Sequence, residues 1–220
     1  MSNENNKNQL SVVKNNYLTK VSNTLSITNK LLKEIDNREP SDDFRVAIPD
    51  VNFQRYLSEK LGIDVTEGTV AYVDVKNVTK IDCKLSLIES LIGIEYFISL
   101  IILNCIFNKL TNLDLTKNTA LTNLSCGANQ LTNLDVTKNK TLTSLECGFN
   151  QLTSLDVTKN TALIELNCYA NQITHLDITK NMALNELNCS ENKITHLDIT
   201  KNKALSKLDY SNNPIIEIKK

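Results

Sequence analysis

Six cysteines, two histidines and a series of aspartates are the residues of this chain that could do chemistry. The cysteines are Cys83, Cys105, Cys126, Cys147, Cys168 and Cys189, spaced by 22, 21, 21, 21 and 21 residues. Zinc binding, disulfide formation and nucleophilic attack each impose a geometry on such a set. Tetrahedral zinc needs four ligands converging on a point, and equivalent positions stacked in a row do not converge. Stacked Cα atoms ~4.8 Å apart lie within disulfide range, but parallel Cβ vectors fit the torsion of the bond poorly. A thiol nucleophile needs a base within reach, and His175 and His196 fall in the other half of the period. These histidines, with Asp177 and Asp198, line up on one outward face, yet the earlier copies place Asn112, Asn133 and Ser154 in the histidine slot. Any polar residue serves there. Glycine-rich phosphate loops are missing. The residues therefore predict no catalytic group, no metal ligand and no cofactor, and the cysteines read as small core hydrophobes.

The elements that must position these residues follow from the period. Tyr210 occupies the next cysteine slot, and an asparagine stands three residues after each of the last five cysteines: Asn108, Asn129, Asn150, Asn171 and Asn192, with Asn213 following Tyr210. A fixed period in this range marks a solenoid. Each copy reads L-x-x-L-x-C-x-x-N-x-L-T-x-L-D-V-T-K-N-x-A, with copies beginning at Leu100, Leu121, Leu142, Leu163 and Leu184 and a truncated sixth at Leu205. An irregular coil precedes them from Val78, with Ser86 in the asparagine slot. The last Leu and the Cys of L-x-x-L-x-C are two residues apart, so both point to one face of an extended segment. Leu145 and Cys147 point in, and Ser144 and Glu146 point out. In the second half Leu155 and Val157 point in, and Ser154 and Asp156 point out. Each copy is read as two short extended legs joined by corners, stacked on its neighbours at ~4.8 Å. The asparagine row is read as structural, its amides satisfying corner backbone groups in its own coil and the next.

This pattern resembles the leucine-rich repeat family, with Cys in the sixth slot of L-x-x-L-x-L-x-x-N-x-L. The 21-residue length and the L-T-x-L-D-V-T-K-N half are similar to the cysteine-containing bacterial repeats of internalin J type. The resemblance covers residues 78–220. It implies an α/β-type repeat solenoid, mostly strand and irregular backbone, with a parallel sheet on a concave face that binds partner proteins. It also supports a small helical N-terminal cap at residues 44–77, through I-P-D-x-N-F and G-I-E-Y-F.

The residues of the cap segment carry the same reading. Pro49 and Asp50 look like a helix start, Val51, Phe53, Tyr56, Leu57 and Leu61 form an apolar stripe, and Gly62 would stop the helix. Gly68–Val75 alternates like a strand. Residues 1–43 are read as an extension: a polar, Asn-rich disordered start, an amphipathic helix over Tyr17–Ile35, and a linker from Asp36.

Composition narrows the function. Lys plus Arg is 24 and Asp plus Glu is 25, which removes the basic footprint of a nucleic-acid or anionic-membrane binder. The apolar window Leu91–Phe107 contains Glu95 and Asn104 and falls short of the ~20 apolar residues of a spanning helix. No signal peptide is seen at the start, and reduced thiols fit a cytoplasmic address. Function is expected where the copies differ. The outward slots of the first leg carry Ile102, Asn104, Asn123, Ser144, Glu146, Glu165, Asn167, Glu186 and Asn188, and the corner after each cysteine carries Phe107, Phe149 and Tyr169. Three glutamates beside aromatics predict a protein or peptide partner with a basic patch. The chain thus reads as a bacterial, intracellular, non-enzymatic binding scaffold. The alternative is an internalin-like adhesin or effector exported without a classical signal.

Overall fold

The structure, a computed structural model, describes residues 39–220. The disordered start and the amphipathic helix over 17–35 lie outside the described residues. Seven three-residue strands form one parallel sheet: β3 (Lys80–Asp82), β4 (Ile102–Asn104), β5 (Asn123–Ser125), β6 (Ser144–Glu146), β7 (Glu165–Asn167), β8 (Glu186–Asn188) and β10 (Lys207–Asp209). Every join is in the same register, with Leu103, Leu124, Leu145, Leu166, Leu187 and Leu208 side by side. The cause is the period of two along a strand: the central leucine enters the core, and its two neighbours face out. From β3 to β8 that central residue is buried; in β10 it is only half-buried.

The second legs differ from the expected extended pairs. Among the described residues only β9 (His196–Asp198) pairs as a strand there, with β11 (Glu217–Lys219). The preceding coils make one backbone bond per join at the start of that leg, such as Gln151 N–H to Leu131 C=O at 2.8 Å. The chain then turns on the aspartate slot. Asp156 accepts from Thr158 N–H at 2.9 Å and from Thr158 Oγ at 2.7 Å, and Asp114, Asp135, Asp177 and Asp198 repeat the motif. Such side-chain turns compete with a backbone ladder.

The asparagine row lies buried at the corners and joins coils. Asn150 Nδ2 donates to the carbonyls of Cys126 and Cys147, both at 3.1 Å, and to Gly148 at 3.3 Å, while its Oδ1 accepts Leu131 N–H at 3.0 Å. A second buried row was not singled out from the sequence: Asn118, Asn139, Asn160, Asn181 and Asn202. Asn160 Nδ2 donates to Val136 and Asn139 carbonyls at 2.9 and 2.8 Å, but its Oδ1 has no hydrogen-bond partner.

All six cysteines are free and buried. Burial pushes the Cys83, Cys126 and Cys189 thiols up to about 12 and those of Cys105, Cys147 and Cys168 up as well. The thiolate is the reactive species. We therefore expect a thiol reagent to label none of the six in the native protein and all six in denaturant. Mass spectrometry that finds an intermolecular or inter-coil disulfide would contradict this.

The N-terminal end of the stack is covered. Strand β1 (Arg45–Ala47) pairs antiparallel with β2 (Thr69–Ala71), flanking helix α1 (Val51–Leu61). Asp50 caps α1 by accepting Asn52 and Phe53 N–H at 2.9 Å, and Gly62, at φ 67°, ends it. The same Asp50 accepts Glu89 and Ser90 N–H from the first coil at 2.7 and 3.0 Å. Phe53 and Leu57 are buried, the Phe53 ring lying tilted with its centroid 6.2 Å from that of Phe97, but Val51 is 64% exposed and does not belong to the stripe. The strand expected over Gly68–Val75 ends at Ala71, and Tyr72–Val75 is a one-turn helix, α2. Helical spacing is what turns both Tyr72 and Val75 into the core.

Candidate protein-binding face

The outward residues of the seven-stranded sheet form two columns. Ile102, Asn123, Ser144, Glu165, Glu186 and Lys207 adjoin in one; Asn104, Ser125, Glu146, Asn167, Asn188 and Asp209 adjoin in the other. A shallow depression of 520 Å³ opens on strands β6, β7, β8 and β10, and Glu146, Glu165 and Glu186 all line it. Glu165 and Glu186 are direct cross-strand neighbours, while Glu146 sits one column over, beside Asn167. Ser144 Oγ donates to Glu165 at 3.2 Å. Glu186 pairs with Lys207, a residue the sequence reading did not connect to it. Among the described residues, Glu146 and Glu165 form no ion pair, although Lys207 lies near enough to Glu165 to feel its charge.

The corner after the sheet is an apolar ridge made by an unusual backbone. The second residue after each cysteine slot has positive φ: Leu85 (57°), Phe107 (53°), Ala128 (50°), Phe149 (52°), Ala170 (50°), Glu191 (54°) and Asn212 (55°). This left-handed conformation costs non-glycine residues ~1–2 kcal/mol each. A bond to the next coil helps hold it, as in Phe149 N–H to Tyr169 C=O at 3.0 Å. The conformation turns these side chains outward, leaving Leu85 69%, Phe107 56% and Phe149 53% exposed. Leu85 was missed because its coil is irregular, although its place two after Cys83 matches Phe107 two after Cys105.

Tyr169 joins ridge and acid. Its ring meets Phe149 edge-on at 4.5 Å between centroids, and burial, then Glu146 and Glu191, raise its phenol above the ordinary value. The ring lies over Gly148, where a Cβ would come within 2.6 Å of Tyr169 Cδ1. Gly148→Ala should therefore displace the tyrosine from Phe149 and destabilise the fold by ~1–3 kcal/mol. A crystal structure or near-ultraviolet dichroism unchanged by the substitution would show that the ring is not wedged there.

A second depression, of 470 Å³, lies on the other leg between His175, Asp177, His196, Asp198, Glu217 and Lys219. His196 Nδ1 stands 2.9 Å from Thr195 Oγ, and both aspartates are engaged by threonines. Among the described residues no group of three or more His, Cys, Asp or Glu is placed to hold a metal ion. No described helix is long and apolar enough to cross a membrane.

The threonine hydroxyls, followed by their N–H groups, hold the carboxyls of Asp135, Asp156, Asp177 and Asp198 below the usual carboxylate range. A lowered value in the folded state adds stability above the unfolded value of ~3.9, and this is lost as pH falls through the folded values. The urea midpoint should accordingly hold from pH 7 to about 5 and drop below about 4. In Asp156→Asn the drop should be shallower; an equally steep drop would remove the turns as its cause.

Stacked 21-residue coils, a seven-stranded parallel sheet and paired Cys and Asn rows give this chain a leucine-rich repeat fold. Its repeats are 21 residues long and carry a cysteine in the sixth slot. The functional domain of InlJ from Listeria monocytogenes, which includes a cysteine ladder, is 33% identical over 81% of this chain and 50% of that one, with a TM-score of 0.49. A leucine-rich repeat protein of Leptospira interrogans is 33% identical over 58% of this chain and 35% of that one, with a TM-score of 0.54. Internalin C2 of Listeria monocytogenes shares the fold at 18% identity, over 81% of this chain and 93% of that one, with a TM-score of 0.59. The chain thus spans only part of the first two. No family model and no curated protein matches it.

Proposed function

We propose that the sheet face over β6 to β8 binds a basic segment of another protein, and that the chain is a non-enzymatic, intracellular scaffold of a bacterium. The observation that carries this is the convergence of Glu146, Glu165 and Glu186 on one open depression beside the ridge of Phe149 and Tyr169. A lysine- or arginine-bearing strand laid across the face meets carboxylates with its charges and the ridge with its apolar side chains. Six buried free thiols suit a reducing compartment, and the Leptospira relative supports a bacterial source.

A fluorescent decapeptide alternating lysine and leucine is a direct probe. It should bind with an affinity that falls as salt rises, and the amide resonances of β6 to β8 should shift. A peptide whose shifts instead map to His175, His196 and Glu217 would overturn the assignment.

A further inference from the structure

The corner that follows β3 presents two leucines that the fold itself does not call for. Leu85 and Leu87 have φ of 57° and 58°, and they are 69% and 60% exposed. Left-handed backbone is unfavourable for leucine, and so much exposure recovers little of that cost through burial. Other coils fill the slot of Leu85 with Ala128, Ala170, Glu191 and Asn212, so the turn needs no apolar residue there. The slot of Leu87 has positive φ in no other coil among the described residues.

The backbone that carries the two leucines is held from several sides. Leu85 N–H donates to Ile106 C=O at 3.1 Å, and Ser86 and Ile88 N–H both donate to Asn108 Oδ1, at 3.1 and 2.9 Å. From α1, Asn52 Nδ2 donates to Leu87 C=O at 2.9 Å. Ile88 turns into the core. The leucines are therefore fixed before anything binds, which lowers the ordering cost of a contact.

Beside them α1 contributes Arg55, Tyr56, Glu59 and Lys60, and these side chains and the two leucines line a hollow of 240 Å³. That is the size of a seat for one anchoring side chain. Tyr56 is half-buried, and its hydroxyl accepts Asp82 N–H at 2.8 Å, which holds its ring in the wall. Arg55 donates to Asn52 Oδ1 at 3.1 Å, but among the described residues neither Arg55 nor Lys60 forms an ion pair. Two cations against the one carboxylate of Glu59 leave the lining positive, opposite in sign to the glutamates over β6 to β8.

We propose that this hollow between α1 and the first coil docks an acidic segment of another protein. A leucine or phenylalanine of the segment seats against Tyr56, Leu85 and Leu87, and its flanking carboxylates meet Arg55 and Lys60. The site is separate from the sheet face and selects the opposite charge, so either can fail without the other.

A fluorescent decapeptide alternating glutamate and leucine, titrated into the full 220-residue chain, tests this. It should bind with an affinity that falls as salt rises. The amide resonances of residues 52–60 and 84–88 should shift while those of β6 to β8 stay. Leu85→Asn with Leu87→Asn should weaken the peptide about tenfold or more. The same variant should melt about 2–4 °C higher, because asparagine accepts left-handed backbone more readily than leucine. Should it melt lower, the leucines hold the fold, and a second pair decides alone. That pair, Arg55→Glu with Lys60→Glu, lies on the solvent side of α1 and should weaken the peptide about tenfold. No binding at about 1 mM, shifts elsewhere, or unchanged affinity in the charge-reversed pair would each overturn the proposal. So would shifts of 84–88 on concentrating the protein alone, which would give the hollow to a second copy.

Discussion

A chain carrying Glu146→Lys, Glu165→Lys and Glu186→Lys loses all measurable affinity for a basic peptide while melting within a few degrees of the parent. The three side chains bury no core surface and sit on successive strands ~4.8 Å apart, so their fields add only partly screened, the Debye length being ~8 Å. Reversal replaces attraction by repulsion at the centre of the face. The fold loses only the exposed Glu186–Lys207 pair, worth ~0–1 kcal/mol, and the exposed Ser144 Oγ bond to Glu165. The aspartates of the second leg look like matched controls but are not, since Asp135, Asp156 and Asp177 close turns. Glu39, Glu59 and Asp74, all exposed, carry the same change of charge without that role. Titration of the probe against both triple variants decides the matter. Equal losses would reduce the face to a general charge effect.

Asn150→Ala should cost about 2 kcal/mol, because the buried Leu131 N–H loses its acceptor while the carbonyls of Cys126, Cys147 and Gly148 each lose one of two donors. Asn160→Ala removes two donated bonds but also deletes a buried oxygen with no partner, so its cost should be about half as large. Ser154→Ala, exposed on the same coil as Asn150, should stay within about 0.5 kcal/mol. Urea denaturation of the three variants gives the order directly. If Asn150→Ala and Asn160→Ala tie, the unpartnered oxygen carries no penalty.

What could be seen in the chain beforehand was whatever repeats with a simple physical reason. A cysteine two residues after a leucine must share its face, and one slot recurring every 21 residues must stack, so the parallel sheet could be read off. The helix of the cap was equally plain in Asp50 and Gly62. The second asparagine row escaped because it sits in T-K-N, where an asparagine beside a lysine looks like an exposed turn, and only tertiary packing buries it. The second leg was taken as extended because its alternation is real, but a threonine two residues after an aspartate redirects the backbone. The candidate face shows the same divide. Its glutamates were visible as variable slots, whereas the Glu186–Lys207 pair and the wedge of Tyr169 over Gly148 depend on neighbours one coil away.

The asparagine bonds also have a direction in time. From Asn129 on, each Nδ2 reaches back 24 residues to a cysteine carbonyl of the preceding coil, and each Oδ1 accepts an N–H 19 residues earlier. None reaches forward. A coil emerging from the ribosome therefore finds its acceptors already ordered, while the coil already in place waits only for one oxygen of the next, as Leu131 N–H does for Asn150. Growth from the N-terminus leaves no amide of the row unsatisfied at any length, whereas assembly from the other end would strand one at every step. The stack is built to be laid down in the order in which it is translated.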